Sequence, residues 1–303
     1  MSKYIVTNKT FVKTNNKSSL IMNRYFYSLL VFILLSIVVY LIFGETEIVL
    51  SLLKSLVLSL GFGSICSYVI NIIYKDYKFI DIYRKDNIYV ISLIIGLFGM
   101  NTSIFVLFGA ILISVVIKKI NKNINQSASL YGILVIFLYR YVTNDMYYVK
   151  DLINIELNKA MIKDYLIGIN YLNPILSLAV FVYLFIKKSI KYNIFISYIS
   201  TIFIIMLAIG ILNDIHIILP FVVLASNGII FLSVYTLTDY LNTPTINETQ
   251  ILYGISLGII SSILTFVIYP FSVIGSLIIG PLLLTKYLDR NCYKIKYRKK
   301  SHS

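Results

Sequence analysis

Long apolar stretches alternate with short, lysine-rich polar segments along the whole chain. An α-helix needs about 20 mostly apolar residues to cross the hydrocarbon core of a bilayer. By this measure the pattern predicts about ten membrane-spanning helices. We expect them near 25–43, 48–73, 88–98, 103–117, 129–142, 165–186, 193–212, 215–237, 251–268 and 271–288. The predicted fold class is therefore an all-α polytopic membrane protein.

The composition agrees with this pattern and excludes an ordinary soluble domain. Of 303 residues, 58% are hydrophobic and 13% are charged, and the mean hydropathy is +0.85. The net charge of +14 could indicate a nucleic-acid partner, but the lysines and arginines lie in short loops and tails beside apolar stretches. Membrane proteins distribute positive charge in this way, so the lipid bilayer is a predicted partner and nucleic acid is not.

Motifs of self-contained catalysis are missing from the sequence. It contains no glycine-rich nucleotide loop, no HExxH motif and no pair of carboxylates within an apolar stretch. Its two cysteines, Cys66 and Cys292, form no CxxC pattern, so neither a metal site nor a disulfide framework is predicted. No catalytic residue is predicted, and whether the chain acts as an enzyme stays open.

The positions of the basic residues predict the topology. The tail 1–24 has five basic residues and no acidic one, so we expect it in the cytoplasm. Loops near 74–87, 118–122 and 187–191 and the tail 291–303 are also basic and fall on the same side. Both termini are therefore predicted to be cytoplasmic.

The predicted spans form one membrane domain, 25–290, with two halves. Five spans lie in 25–143 and five in 164–290, and a polar outer loop, 144–163, joins them. Since five is an odd number, the second half would enter the membrane in the opposite orientation, as in an inverted repeat. The interruption FGMNTS after the third span would then correspond to TLTDYLNTPT after the eighth.

The polar turn after the eighth span is the main candidate site. Its residues Thr238, Asp239, Pro244 and Thr245 interrupt two apolar stretches, and lipid offers no hydrogen bonds to polar groups at that depth. We interpret them as lining a path between the two halves, for an ion or a noncovalent flavin. An ordinary loop is the alternative, with Asn247 and Gln250 forming a capping box at the start of the next helix.

Three other residues are singled out by their position: Lys54 and Pro174 have two interpretations each, and Arg140 has a structural one. Lys54 lies inside the second span, where its side chain either extends to the interface or contacts a ligand. Arg140, between two tyrosines, is predicted to be an interfacial anchor. Pro174 either kinks the sixth span or lines a cavity.

The segment TDYLNTPTINETQILYGISLG resembles the stretch after the eighth span in the D subunit of the Rnf complex. It also resembles the related B subunit of the sodium-pumping NADH:quinone reductase. The matching residues are Thr238, Asp239, Pro244, Gln250 and Gly254. Weaker similarities are SSLIM before the first span, YLFIKKSIKYNIFISYI near the seventh, and Pro281 with LDR in the last helix.

This resemblance implies a subunit of an ion-translocating complex in the bacterial cytoplasmic membrane, with other membrane subunits as partners. Such a complex transfers electrons between ferredoxin and NAD and moves Na⁺ or H⁺. The alternative is a stand-alone inverted-repeat transporter or channel for a small solute. A membrane subunit with a purely structural role is a third hypothesis.

The resemblance also implies FMN, but the attachment motif is absent. The family pattern D-x-x-S/T-G-A-T ends in a threonine that holds the flavin, whereas here Asp145 is followed by Tyr148, Val149, Lys150 and Asp151 at the patterned positions. No hydroxyl stands at the acceptor position, so covalent FMN is not expected. A noncovalent flavin stays open.

We therefore predict no flavin fluorescence from the denatured chain. A covalent flavin survives denaturing electrophoresis, whereas a noncovalent one is lost. Ultraviolet illumination of the gel should show no band at 34.7 kDa, while a covalent flavoprotein on the same gel fluoresces. A fluorescent band from this chain would contradict our interpretation of 145–151.

Overall fold

The computed structural model describes residues 18–73, 88–100, 102–121, 126–143, 172–212, 219–226, 228–239, 243–244, 246–267 and 278. All regular secondary structure in these residues is helical. The chain is an all-α polytopic membrane protein, as its pattern of apolar stretches predicts.

Ten α-helices lie in the described residues. They are α1 Ser18–Ile42, α2 Thr46–Ile73, α3 Ile88–Phe98, α4 Ile104–Ile120, α5 Ser129–Val142, α6 Pro174–Ile186, α7 Tyr192–Leu212, α8 Leu219–Ser226, α9 Ile229–Leu232 and α10 Asn247–Val267. A 3₁₀ turn, Gln126–Ala128, precedes α5, and a π-helical turn, Ser233–Leu237, continues α9.

Three of the described helices are long and apolar enough to cross a membrane. They are α1, α2 and α7, and the bent pair formed by α8 and the continuous α9 and π turn makes a fourth. Helices α3 and α6 are apolar but shorter. The interruption predicted after the third apolar stretch is confirmed, because α3 ends at Phe98 and α4 begins at Ile104.

The eighth span differs from its prediction as one continuous helix over 215–237. It bends by 58° between α8 and α9, where Gly228 has a left-handed backbone with φ of +60°. Glycine adopts this conformation without steric cost. The site is also crowded, because a Cβ on Gly228 would lie 2.7 Å from Cδ1 of Leu172.

Pro174 starts a helix instead of kinking one. Asn173 is the N-cap of α6, and its Oδ1 accepts hydrogen bonds from the backbone N–H of Ile175 at 2.9 Å and of Leu176 at 3.1 Å. Proline fits the first position of a helix because its missing N–H would have no intrahelical partner there. The predicted loop 144–163, and all of the predicted tenth span except Ile278, lie outside the described residues.

Corresponding helices of the two predicted halves pack in the same way. In the first half α2 packs against α3 and α4, and in the second half α7 packs against α8 and α10. Helices α1 and α6 then pack against each other across the halves. This pairing is what a repeat predicts, in which α1 corresponds to α6 and α2 to α7, and the inverted orientation of the second half stays a prediction.

Small residues let the paired helices approach closely. A Cβ on Gly96 of α3 would lie 2.9 Å from Cβ of Ser59 on α2, and a Cβ on Gly258 of α10 would lie 2.7 Å from Cβ of Thr201 on α7. Because lipid tails are as apolar as the helices, association inside a bilayer depends on such close packing.

We expect Gly254→Ala to destabilise the protein. Its new Cβ would collide with Oγ of Ser197 and lie 2.7 Å from the carbonyl oxygen of Ile194, and overpacking costs about 1–3 kcal/mol. Gly109→Ala is the matched control, because nothing lies within 4 Å of its Cβ position and alanine favours helix by about 1 kcal/mol. Thermal unfolding in detergent should show a lower midpoint for the first variant only. Equal midpoints would contradict the close α7–α10 contact.

Candidate functional site

The polar turn after the π-helical segment is buried in the structure. Thr238 is 0% exposed, Asp239 is 1% exposed and Thr243 is 7% exposed. A buried carboxylate costs free energy unless hydrogen-bond donors surround it. The partners of Asp239 therefore decide what the turn can do.

The carboxylate of Asp239 binds to the start of α5, in the other half of the chain. Its Oδ2 accepts hydrogen bonds from the hydroxyl of Ser127 at 2.8 Å and from the backbone N–H of Ser127 at 3.2 Å. Ser127 lies in the 3₁₀ turn before α5 and is 3% exposed. Hydrogen bonds to a charged acceptor are among the strong ones in proteins. This pair therefore joins the two predicted halves at a buried charge.

Thr238 connects the same turn to α1. Its Oγ1 donates to the carbonyl oxygen of Val234 at 2.6 Å and shares a hydrogen bond of 3.0 Å with the hydroxyl of Tyr25. Tyr25 is 1% exposed and also donates to the carbonyl oxygen of Ser189 at 3.4 Å. Arg24 contacts the same segment as Tyr25, because it donates a hydrogen bond to the carbonyl oxygen of Lys187 at 2.6 Å.

Lys191 brings a buried positive charge to the turn. Its Nζ donates to the carbonyl oxygen of Thr243 at 2.9 Å and to Oγ1 of Thr243 at 2.7 Å, and Lys191 is 8% exposed. Oγ1 of Thr243 in turn donates to the backbone carbonyl oxygen of Asp239 at 2.7 Å. The lysine therefore holds the turn from the second half, while Ser127 holds it from the first.

The predicted capping box is replaced by contacts between segments. Nε2 of Gln250 donates to the carbonyl oxygen of Pro244 at 3.2 Å, and its Oε1 accepts a hydrogen bond from Asn193 at 3.3 Å. The side chain thus joins α10 to the turn and to α7, because these buried polar groups need partners inside the protein. Asn247 is exposed in the first turn of α10. Thr245 lies outside the described residues.

A cluster of buried aromatic side chains continues from the turn into the core. The ring of Tyr235 lies 4.7 Å from that of Phe231, which lies 5.1 Å from Phe32 and 6.2 Å from Phe98. Phe98 in turn lies 6.1 Å from Phe137. These residues come from α1, α3, α5 and the α9 segment, so the cluster also includes both predicted halves. Each of these side chains is at most 7% exposed, so the cluster is buried.

Arg140 contacts the end of α3, and its role as an interfacial anchor stays a prediction. Its Nη2 donates to the carbonyl oxygens of Phe98 at 3.0 Å and Met100 at 2.9 Å. These carbonyls end α3, where the helix has no further N–H groups to offer. Lys54, in contrast, is exposed on α2, which favours the interpretation that it extends to the interface.

Sequence reasoning missed Ser127, Lys191 and Tyr25 as partners of the turn. Ser127 is 112 residues from Asp239, and Tyr25 is 213 residues from Thr238. No local pattern marks a residue whose role is to meet a distant one. The charge pattern predicts that Lys191 lies in a basic loop at the membrane surface, so it does not indicate a buried partner of the turn.

A family model described as the NQR2, RnfD, RnfE family matches residues 5–291. The chain belongs to this family. No curated protein matches it. Membership in the NQR2, RnfD, RnfE family supports a membrane subunit of Rnf- or Nqr-type complexes.

The flavin implied by the NQR2, RnfD, RnfE family does not fit the described turn. A flavin phosphate is an anion, and the buried carboxylate of Asp239 would repel it. The positive charge nearby, on Lys191, already contacts Thr243 through two hydrogen bonds. The loop with Asp145 lies outside the described residues. Within the part that the structure describes, no group of three metal-ligating side chains occurs.

We expect Ser127→Ala to destabilise the protein through Asp239. The variant removes the hydrogen bond of 2.8 Å from the Ser127 hydroxyl to a buried carboxylate, and such a loss costs about 1–3 kcal/mol. Ser36→Ala is the matched control, since Ser36 is equally buried but donates only to the carbonyl oxygen of Phe32 in its own helix. Thermal unfolding in detergent compares the two.

The double variant Ser127→Ala with Asp239→Asn tests the pair directly. If the two residues interact, the double variant should lose less than the sum of the single losses. Strictly additive losses would contradict the contact.

Proposed function

We propose that the chain is a membrane subunit of an Rnf-type ferredoxin:NAD oxidoreductase, in which electron transport is coupled to movement of Na⁺ or H⁺. The family match over residues 5–291 supports a subunit of this type. The specific complex and the ion are our proposal. The other membrane subunits of such a complex would be its partners.

The buried contact between Asp239 and Ser127 is the observation that carries this proposal. Ionisable groups inside membrane domains are costly and commonly mark ion or proton pathways. Asp239 lies between the two predicted halves, where transporters of inverted-repeat design place their sites. If the halves shift, the carboxylate would exchange its Ser127 donors for an ion or a proton.

The charge distribution supports a cytoplasmic position for this end of the domain. Arg24, Lys187 and Lys191 all lie in the segments that contact the turn. Since basic residues concentrate on the cytoplasmic side, we place both termini and the Asp239 turn there. The inner membrane of a bacterium is the corresponding localisation.

A stand-alone inverted-repeat transporter or channel is the second candidate. The sequence after Asp145 favours it, because no hydroxyl is present where the family attaches its flavin. Uptake of a small solute by the purified protein in liposomes, without redox partners, would support this candidate. Co-purification with redox subunits would count against it.

We predict that the chain copurifies with Rnf-like membrane subunits from native membranes. In the same preparation, Asp239→Asn should keep the partners and lose most of the ion transport driven by ferredoxin oxidation, because an amide carries no charge for an ion to neutralise. Glu47→Gln is the control, since Glu47 is an exposed acid at the start of α2. Isolation of a stable chain without partners would contradict the subunit assignment. Full ion transport by Asp239→Asn would refute the role of the turn but not the subunit assignment.

A further inference from the structure

Helix α5 has a different charged contact at each of its two ends. Ser127, just before its start, binds the carboxylate of Asp239, and Arg140, in its last turn, binds the carbonyls that end α3. With 14 residues, α5 is about 20 Å long. The guanidinium and the carboxylate therefore lie at opposite ends of the same helix.

The carbonyl groups at the end of α3 form a place where a cation is stabilised. The C-terminal end of a helix carries partial negative charge on carbonyls without intrahelical partners. The carbonyl of Gly99 accepts from the backbone N–H of Thr102 at 3.1 Å and from its hydroxyl at 2.6 Å. The carbonyls of Phe98 and Met100 accept from Arg140 instead. The cation at this helix end is thus part of the chain itself.

Phe98 links this helix end to the bend in the other half. Its ring packs against Phe231 of α9, and a Cβ on Gly228 would lie 3.4 Å from its Cζ. The two helix breaks, after α3 and before α9, therefore meet at this ring. Because Arg140 holds the backbone carbonyl of Phe98, it also holds the ring against the second half.

We propose that Arg140 is a positioning residue that closes the path between the halves at the end opposite Asp239. Its two hydrogen bonds keep Phe98 in contact with Phe231 and Gly228. Its charge adds an electrostatic barrier, because a fixed guanidinium in a narrow passage repels cations. This inference rests on the proposed function only in requiring an ion path between the halves.

Passive sodium flux tests this role. The full-length chain would carry Arg140→Gln or Arg140→Lys as the only copy in native membrane vesicles, without any electron donor. Loss of the charge should raise passive efflux of radioactive sodium on the order of tenfold. Such a change corresponds to lowering the free-energy barrier to sodium passage by about 1.4 kcal/mol. Arg140→Lys keeps a charge and N–H donors and should retain low efflux.

Lys54→Gln controls for the removal of one positive charge from the membrane domain. Lys54 is exposed on α2, so its loss should leave sodium efflux unchanged. A rise in efflux equal to that of Arg140→Gln would overturn the proposal, since any lost charge would then suffice.

Thermal stability, measured beside efflux, distinguishes two roles of Arg140: closing the path and only capping the end of α3. Lower thermal stability of Arg140→Gln with unchanged efflux would show that Arg140 only caps a helix, and unchanged stability and efflux would also overturn the proposal. If Arg140→Gln fails to accumulate, Phe98→Ala removes the ring that Arg140 positions. Its efflux should rise likewise, and normal efflux would refute the closure.

The efflux result is separate from the identity of the complex. Efflux is measured without electron transport, whereas membership of the complex is judged by copurification with partner subunits. A leak in Arg140→Gln without copurifying partners would support closure in a stand-alone transporter. Copurifying partners without a leak would support the subunit and overturn the role of Arg140.

Discussion

The hydrogen bonds from Ser127 to the carboxylate of Asp239 are the contact on which this end of the membrane domain depends. A buried charge requires donors, and Ser127, in the other predicted half, supplies its hydroxyl and its backbone N–H. The remaining contacts of the turn follow from this anchor. Tyr25 brings in α1, Lys191 brings in the segment before α7, and Gln250 brings in α10. Four parts of the chain thus meet at the turn that holds this carboxylate.

Close helix packing supplies the framework that keeps this turn in position. Membrane helices gain little from apolar burial against each other, so their association depends on fit and on internal hydrogen bonds. The contacts of Gly96 with Ser59 and of Gly258 with Thr201 occur at corresponding helix pairs of the two halves. Buried hydroxyls in these helices donate hydrogen bonds to carbonyl oxygens of the same helix, as Ser59 does to Leu56. The framework is therefore tight, and such hydroxyls have hydrogen-bond partners within their own helix.

The two charged contacts at the ends of α5 differ in what they can exchange. At one end a carboxylate accepts from a hydroxyl and an N–H, which a cation or proton can replace. At the other end a guanidinium donates to two carbonyls, Phe98 and Met100, which a mobile cation could contact only after Arg140 has left. Between them lies the aromatic cluster with Phe231 and Tyr235 at its centre. The described structure therefore has a buried carboxylate contact at one end of α5 and a guanidinium–carbonyl contact at the other.

The sequence by itself determined the fold class and most helix positions. Apolar length and period decide which segments can span a bilayer, so α2, α5 and α7 start and end close to their predicted limits. Helix α1 ends close to its predicted limit but begins at Ser18, well before the predicted start at Tyr25. The bend at Gly228, the role of Arg140 and the partners Ser127 and Lys191 were decided only by the tertiary structure. The physical reason is that propensity and hydropathy act between neighbours in the chain. The hydrogen bonds of a buried charge, in contrast, join residues more than 100 positions apart, and only the packed helices bring those residues together.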